Sequence, residues 1–159
     1  MTKMHTTAEA LEADALCRAN VVHCDPAVKT PETAPLPKAM AKTPVSQKSP
    51  AEWAYQRLIL YIQNFEKQLD ADHEVAMGFT GGEAGVLRIE GMGFHAPDLL
   101  TFYGSDQTGA RTQMIQHVSQ LTVMLRALPK PTAQAQPNRI GFRMAAALDA
   151  EADEAPTVT

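Results

Sequence analysis

Apolar side chains recur at three- and four-residue spacing between Tyr55 and Leu69. Tyr55, Leu58, Ile59, Ile62, Phe65 and Leu69 fall on one helical face, and Gln56, Gln63, Glu66 and Lys67 fall largely on the other. The run opens with Ser49-Pro50-Ala51-Glu52. Serine at the N-cap can accept from the third amide, glutamate can reach back, and proline at the first position has no N–H to lose. The spacing predicts an amphipathic helix from Pro50 to about Asp70.

After His73 the period shortens to two. Val75, Met77 and Phe79 alternate, and Thr80-Gly81-Gly82-Glu83 reads as a hairpin turn. A second strand runs from Val86 to Phe94, where Gly91 and Gly93 predict a bulge or sharp bend, since glycine weakens a strand unless its freedom is needed. Ala96-Pro97-Asp98 breaks the pattern, and Leu99–Tyr103 forms a third strand. A hairpin loop at Gly104–Gly109 precedes strands at Arg111–Val118 and Leu121–Leu128. After a loop at Pro129–Pro137, the alternation of Ile140, Phe142 and Met144 predicts a last short strand over Arg139–Met144. No crossover helices separate the strands, so a parallel α/β fold is excluded. The predicted fold class is α+β: one N-terminal amphipathic helix packed on a strongly bent antiparallel sheet or a small five- to six-stranded barrel. An Sm-like or SH3-like barrel is one form of that arrangement.

Composition bounds this domain. All nine aromatic residues lie between Trp53 and Phe142, and large apolar side chains are what offset chain entropy. The domain is therefore expected over residues 49–144. Residues 1–48 read as a disordered Ala/Pro/Thr-rich arm with a short helix at Thr7–Arg18, and residues 145–159 as a disordered acidic tail. The chain carries a net charge of −4, but residues 49–144 hold eight basic and nine acidic side chains. That balance gives no general footprint for nucleic acid. The start of the sequence has no apolar signal-peptide core, and no apolar run approaches a membrane span. Cytoplasmic localisation and no membrane partner are the expectation.

Three stretches, Ser49-Pro-Ala-Glu-Trp-Ala-Tyr55, Gln116-His117-Val118-Ser119-Gln120-Leu121 and Arg139-Ile140-Gly141-Phe142, resemble an uncharacterised bacterial domain family of unknown function, over about Ser49–Met144. More loosely, Arg88–Phe94 with Leu99–Tyr103, and Gln113–Ser119, resemble the bent strands and second motif of the Sm-like RNA chaperone Hfq. That likeness implies a helix before five bent antiparallel strands, a ring of protomers and RNA as ligand. Gln116 stands before His117 where the Hfq pattern has lysine.

Candidate chemistry is sparse. Cys17, His23 and Cys24 offer zinc donors, but with six residues between the cysteines and no paired spacing they predict no metal site. Gly91-x-Gly93 lacks the third glycine of a dinucleotide loop, and no Lys-Ser/Thr follows Gly81-Gly82. No nucleophile elbow surrounds Ser119. No catalytic residue, metal or cofactor is predicted. Phe94, His95 and Asp98 at the glycine-rich turn, with His117 and Ser119 on one strand face, are the predicted binding residues. Trp53 and Tyr61, at the edges of the helix stripe, are the predicted interface residues. These readings favour a non-enzymatic, self-associating binding or assembly module, its tails recruiting a protein partner. An Sm-like RNA-binding protein is the alternative, and a small enzyme using His95 or His117 the third.

Overall fold

The computed structural model describes residues 19–79, 85–131 and 136–154, except for the side chains at 152 and 154. Among the described residues three α-helices, Lys38–Ala41 (α1), Pro50–Glu66 (α2) and Ile140–Glu154 (α3), accompany five strands: His73–Phe79 (β1), Val86–His95 (β2), Leu99–Ser105 (β3), Arg111–His117 (β4) and Val123–Pro129 (β5). Short 3-10 turns at Val45–Gln47 and Val118–Gln120 complete the order. The predicted helix at Thr7–Arg18 and the predicted turn at 80–83 lie outside the described residues. Among the described residues no helix is long and apolar enough to cross a membrane.

The start of α2 follows from its cap. Ser49 is extended, its hydroxyl accepts the Glu52 amide at 3.1 Å, and Pro50 occupies the first turn. The helix stops at Glu66, four residues short of the expected end. Gln68 and Leu69 donate instead to the carbonyls of Phe65 and Glu66 in tighter turns.

All strand pairs are antiparallel, in the order β4-β3-β2-β1-β5. The α+β class stands. The sheet is open, however, and the barrel of up to six strands is not formed. β2 carries the bend, because its pairing with β3 shifts register between Ile89 and Gly91, where the glycines predicted a bulge. Its first half joins β1 only at Met77↔Leu87 and Gly78↔Val86, while its second half pairs along β3. Gly104 on β3 has no room for a side chain, since a Cβ would sit 2.0 Å from the Arg88 carbonyl oxygen. At the tip of the β3–β4 hairpin, the Asp106 carboxylate accepts the amides of Thr108 and Ala110, and Gly109 takes a φ of 85°.

The core lies between the sheet and its helices. Ile59 and Ile62 of α2 meet Val75, Met77, Leu87, Ile89, Leu100 and Phe102 of the strands, and Phe79 stacks edge-on against Phe102 at 4.9 Å.

Three sequence expectations fail at the ends. In place of the last strand at Arg139–Met144, α3 begins at Ile140, and residues 145–154, read as part of the acidic tail, continue that helix. Ile140, Met144 and Leu148 face the core at a spacing of four, which overrides the two-residue alternation. Residues 31–48, read as part of the disordered arm, place Met40 in the core with 2% of its surface exposed.

Candidate functional site

The turn Ala96–Asp98 joins β2 to β3 through a cis Ala96–Pro97 bond. It faces the end of β4 because Leu99, the first residue of β3, sits opposite His117, the last of β4. That register brings together three of the predicted binding residues. Nε2 of His117 lies 2.9 Å from the Asp98 carboxylate, and Nδ1 lies 2.7 Å from the Ser119 hydroxyl. The Ser119 amide also donates to Nδ1 at 3.1 Å, so that nitrogen carries the lone pair and Nε2–H donates to Asp98. The Val118 amide donates to the Asp98 carbonyl at 2.7 Å, and the Gln120 side chain accepts the His117 amide. His117 thus caps the 3-10 turn Val118–Gln120 while tying it to the β2–β3 turn.

Asp, His and Ser in contact are the parts of a nucleophilic triad. Here the lone pair that would take the serine proton is already engaged by the amide of Ser119 itself, and the His117 and Asp98 side chains are more than 40% exposed. The arrangement works as a polar clasp between two loops.

The other predicted residues lie apart from the clasp. His95 flanks Leu99 on the side opposite His117, and its Nδ1–H donates to the neighbouring Ala96 carbonyl at 2.8 Å. Phe94 packs on Tyr55 with ring centroids 5.0 Å apart, pinning the end of β2 to α2. Trp53 and Tyr61 touch the chain's own arm. The Tyr61 hydroxyl donates to Glu32 at 2.6 Å; burial and then that hydrogen bond raise the phenol above its usual range, and the same hydrogen bond, against the opposing effect of burial, holds the Glu32 carboxyl below its own. Lys48 and Arg57 both lie over the Trp53 ring. Cys17 lies outside the described residues, and Cys24 is exposed. His23 accepts the Asp25 amide. Among the described residues no group of three acidic, His or Cys side chains is placed to hold a metal.

Sequence reasoning missed two buried carboxylates. Glu74 on β1 is ion-paired with Arg88 at 3.2 Å and accepts the Asn138 amide at 2.8 Å, beside a cavity of about 150 Å³. Glu66, at the end of α2, accepts the amides of Gly141 and Phe142 at 3.0 and 3.2 Å. Each depends on a pairing with the C-terminal segment that residue spacing does not reveal.

The chain belongs to the family of unknown function DUF6173, which it matches over residues 44–143. No curated protein and no solved structure matches it.

Proposed function

We propose that this member of a family without an assigned activity is a non-enzymatic assembly module whose copies join by pairing the free edge of β4 with the free edge of β5. The observation that carries this reading is the open sheet. Its two outer strands are both seven residues long, and each exposes a large apolar side chain: Ile115 at 63% and Met124 at 57%. A free edge presents unpaired N–H and C=O groups to another chain, and soluble proteins normally blunt it with charge or proline. β4 has its one charge at its first residue, Arg111. β5 carries Arg126, with Pro129 only at its end. Joining unlike edges is a head-to-tail contact, which closes into a ring or propagates as a filament.

Joining the edges places Ile115 beside Met124 of the next copy on the outer sheet face. The test is light scattering of the full chain with absorbance at 260 and 280 nm read on the same peak. A discrete oligomer that falls to monomer in Ile115→Lys and in Met124→Lys is the expected result. In a Cys17→Ser, Cys24→Ser background, Ile115→Cys with Met124→Cys should give a disulfide-linked ladder of chains. A monomeric wild-type chain overturns the reading. An α-helix preceding five bent antiparallel strands also supports the Sm-like alternative, and nucleic acid retained on a ring-sized peak would move RNA binding ahead of simple assembly.

A further inference from the structure

Residues 31–48 lie across α2 and α3 and are held there by side chains. Met40 fills a socket in the core, and Leu36 packs half-buried against it. Tyr61 donates to Glu32, and Arg57 reaches the Pro31 carbonyl at 3.5 Å. Lys48, 8% exposed, donates to the Met40 carbonyl and to the Gln56 side chain. The backbone hydrogen bonds of the stretch join Thr33 to Thr30, Met40 and Ala41 to Pro37, Gln47 to Pro44, and Lys48 to Val45. They close turns inside the arm and build no ladder onto the domain.

The fit beneath the arm is incomplete. A cavity of about 150 Å³ separates Pro37 and Met40 from Leu60, Ala145 and Leu148. A second, of about 80 Å³, lies under Pro31 and Pro35 beside Leu60 and Asn64. One carboxylate oxygen of Glu32 is buried with no hydrogen-bond partner among the described residues. Clefts open to solvent leave part of the arm without apolar contact, and an unpartnered buried acceptor keeps its desolvation cost. The helix surface therefore recognises this segment through a few anchors, without enclosing it.

Those anchors define what fits. The seated stretch is proline-spaced, a turn at residues 31–34 leading through Pro35–Pro37 into α1, with an acid facing Tyr61 and Arg57, then Leu36 and Met40 as apolar pegs. Prolines at 31, 35 and 37 reduce the ordering entropy that docking must overcome. We propose that the α2–α3 surface is a peptide-docking groove whose occupant, residues 31–41, is exchangeable with the same segment of a second copy of this chain. Residues 42–47, which include Pro44 and the 3-10 turn, are the hinge, and extended they span about 20 Å. The exchanged arm makes the same contacts as the tethered one, so exchange is opposed mainly by the effective concentration of the tethered arm.

The test uses the full chain and a fluorescent peptide of residues 29–48 as the probe, standing for the second copy's arm. Met40→Asp sets a charge in the core socket and unseats the tethered arm. Tethered arms compete at roughly millimolar effective concentration, so the unseated chain should bind the probe at least about ten-fold more tightly than wild type. A probe carrying Met40→Asp should not bind. A Met40→Asp chain that keeps its sheet by circular dichroism yet binds the probe no better than wild type overturns the proposal. If that variant does not fold, Glu32→Lys with Leu36→Asp leaves the Met40 socket filled and unseats the outer part of the arm. Unchanged probe binding by that chain overturns the proposal equally.

Discussion

The arm before α2 and the helix after β5 both lie on α2, and they are attached in different ways. The arm is pegged by Met40 and Leu36 and steadied by side-chain hydrogen bonds, with cavities left beneath it. In α3, two backbone amides of the first turn meet the Glu66 carboxylate, and Gly141 lies directly against the α2 backbone. A negative group at a helix N-terminus satisfies orphan amides and complements the helix dipole. The arm is therefore fitted for exchange and α3 for permanence.

The largest test of that contrast is at Gly141. A Cβ there would stand 2.8 Å from the Gln63 amide nitrogen and 2.9 Å from both Glu66 Oε2 and Ile62 Cγ2. The backbone of α2 cannot give way as a flexible side chain would, so Gly141→Val should lower unfolding free energy by about 3 kcal/mol, the upper end for overpacking. Urea unfolding followed by tryptophan fluorescence and circular dichroism measures it, and the two signals should fall together. A loss below experimental error would show that α3 is no more firmly seated than the arm.

Met40→Ala is the matching test of the arm. Truncating a buried methionine costs about 2 kcal/mol or more when the surroundings stay in place. An arm able to lift off should confine the effect to itself. Limited proteolysis should then cut within residues 31–48 much faster than in wild type, while the midpoint of sheet unfolding moves little. Trp53 lies beneath Lys48 and beside the arm, so its fluorescence should change before the sheet melts. Loss of arm and sheet in a single step would make the arm part of the core.

Much of this fold was legible because its signals are local. The Ser49 cap, the strands and the bend at Gly91 each follow from the period or backbone freedom of a few residues, whereas the α2 stripe was legible only in part, since Gln56 and Glu66 of its expected polar face are buried. The start of α3 was not legible, since Ile140, Phe142 and Met144 also satisfy a two-residue alternation. The four-residue spacing through Leu148 crosses a boundary drawn where the acidic stretch begins. The arm escaped notice because proline-rich composition argues against burial, and one methionine peg adds little to that average. Of the predicted binding residues, Asp98, His117 and Ser119 meet because of the Leu99↔His117 register. The sequence marked Asp98 as a turn residue and His117 and Ser119 as sharing a strand face, whereas Ser119 lies in the 3-10 turn after β4. The tautomer-fixing amide of Ser119, which makes the group a clasp, depends on backbone geometry.

The smallest predicted effect, at Glu66, tests whether the seat of α3 depends on charge or on hydrogen bonding. Burial raises the Glu66 carboxyl above its ordinary 4.5, against the opposing pull of the Gly141 and Phe142 amides and of Arg139. The folded chain thus binds that proton more tightly than the unfolded chain. The resulting stability is complete below the ordinary carboxylate range and is lost as pH rises through the raised value. Asp70 and Asp106, whose carboxyls are lowered chiefly by hydrogen bonds from His73 and Thr108, contribute in the opposite sense. Whole-protein stability therefore mixes the two directions, and the difference between wild type and Glu66→Gln isolates one group. Glutamine cannot ionise and can accept from one of the two amides, so it should cost about 1 kcal/mol at low pH. That deficit should shrink as pH rises to 7, because the wild type alone then carries a buried charge. Urea midpoints for the two proteins between pH 4 and 7.5 measure the difference. A deficit that widens with pH would mean that the two amides favour the ionised carboxylate more than burial disfavours it, making α3 charge-anchored at its N-terminus.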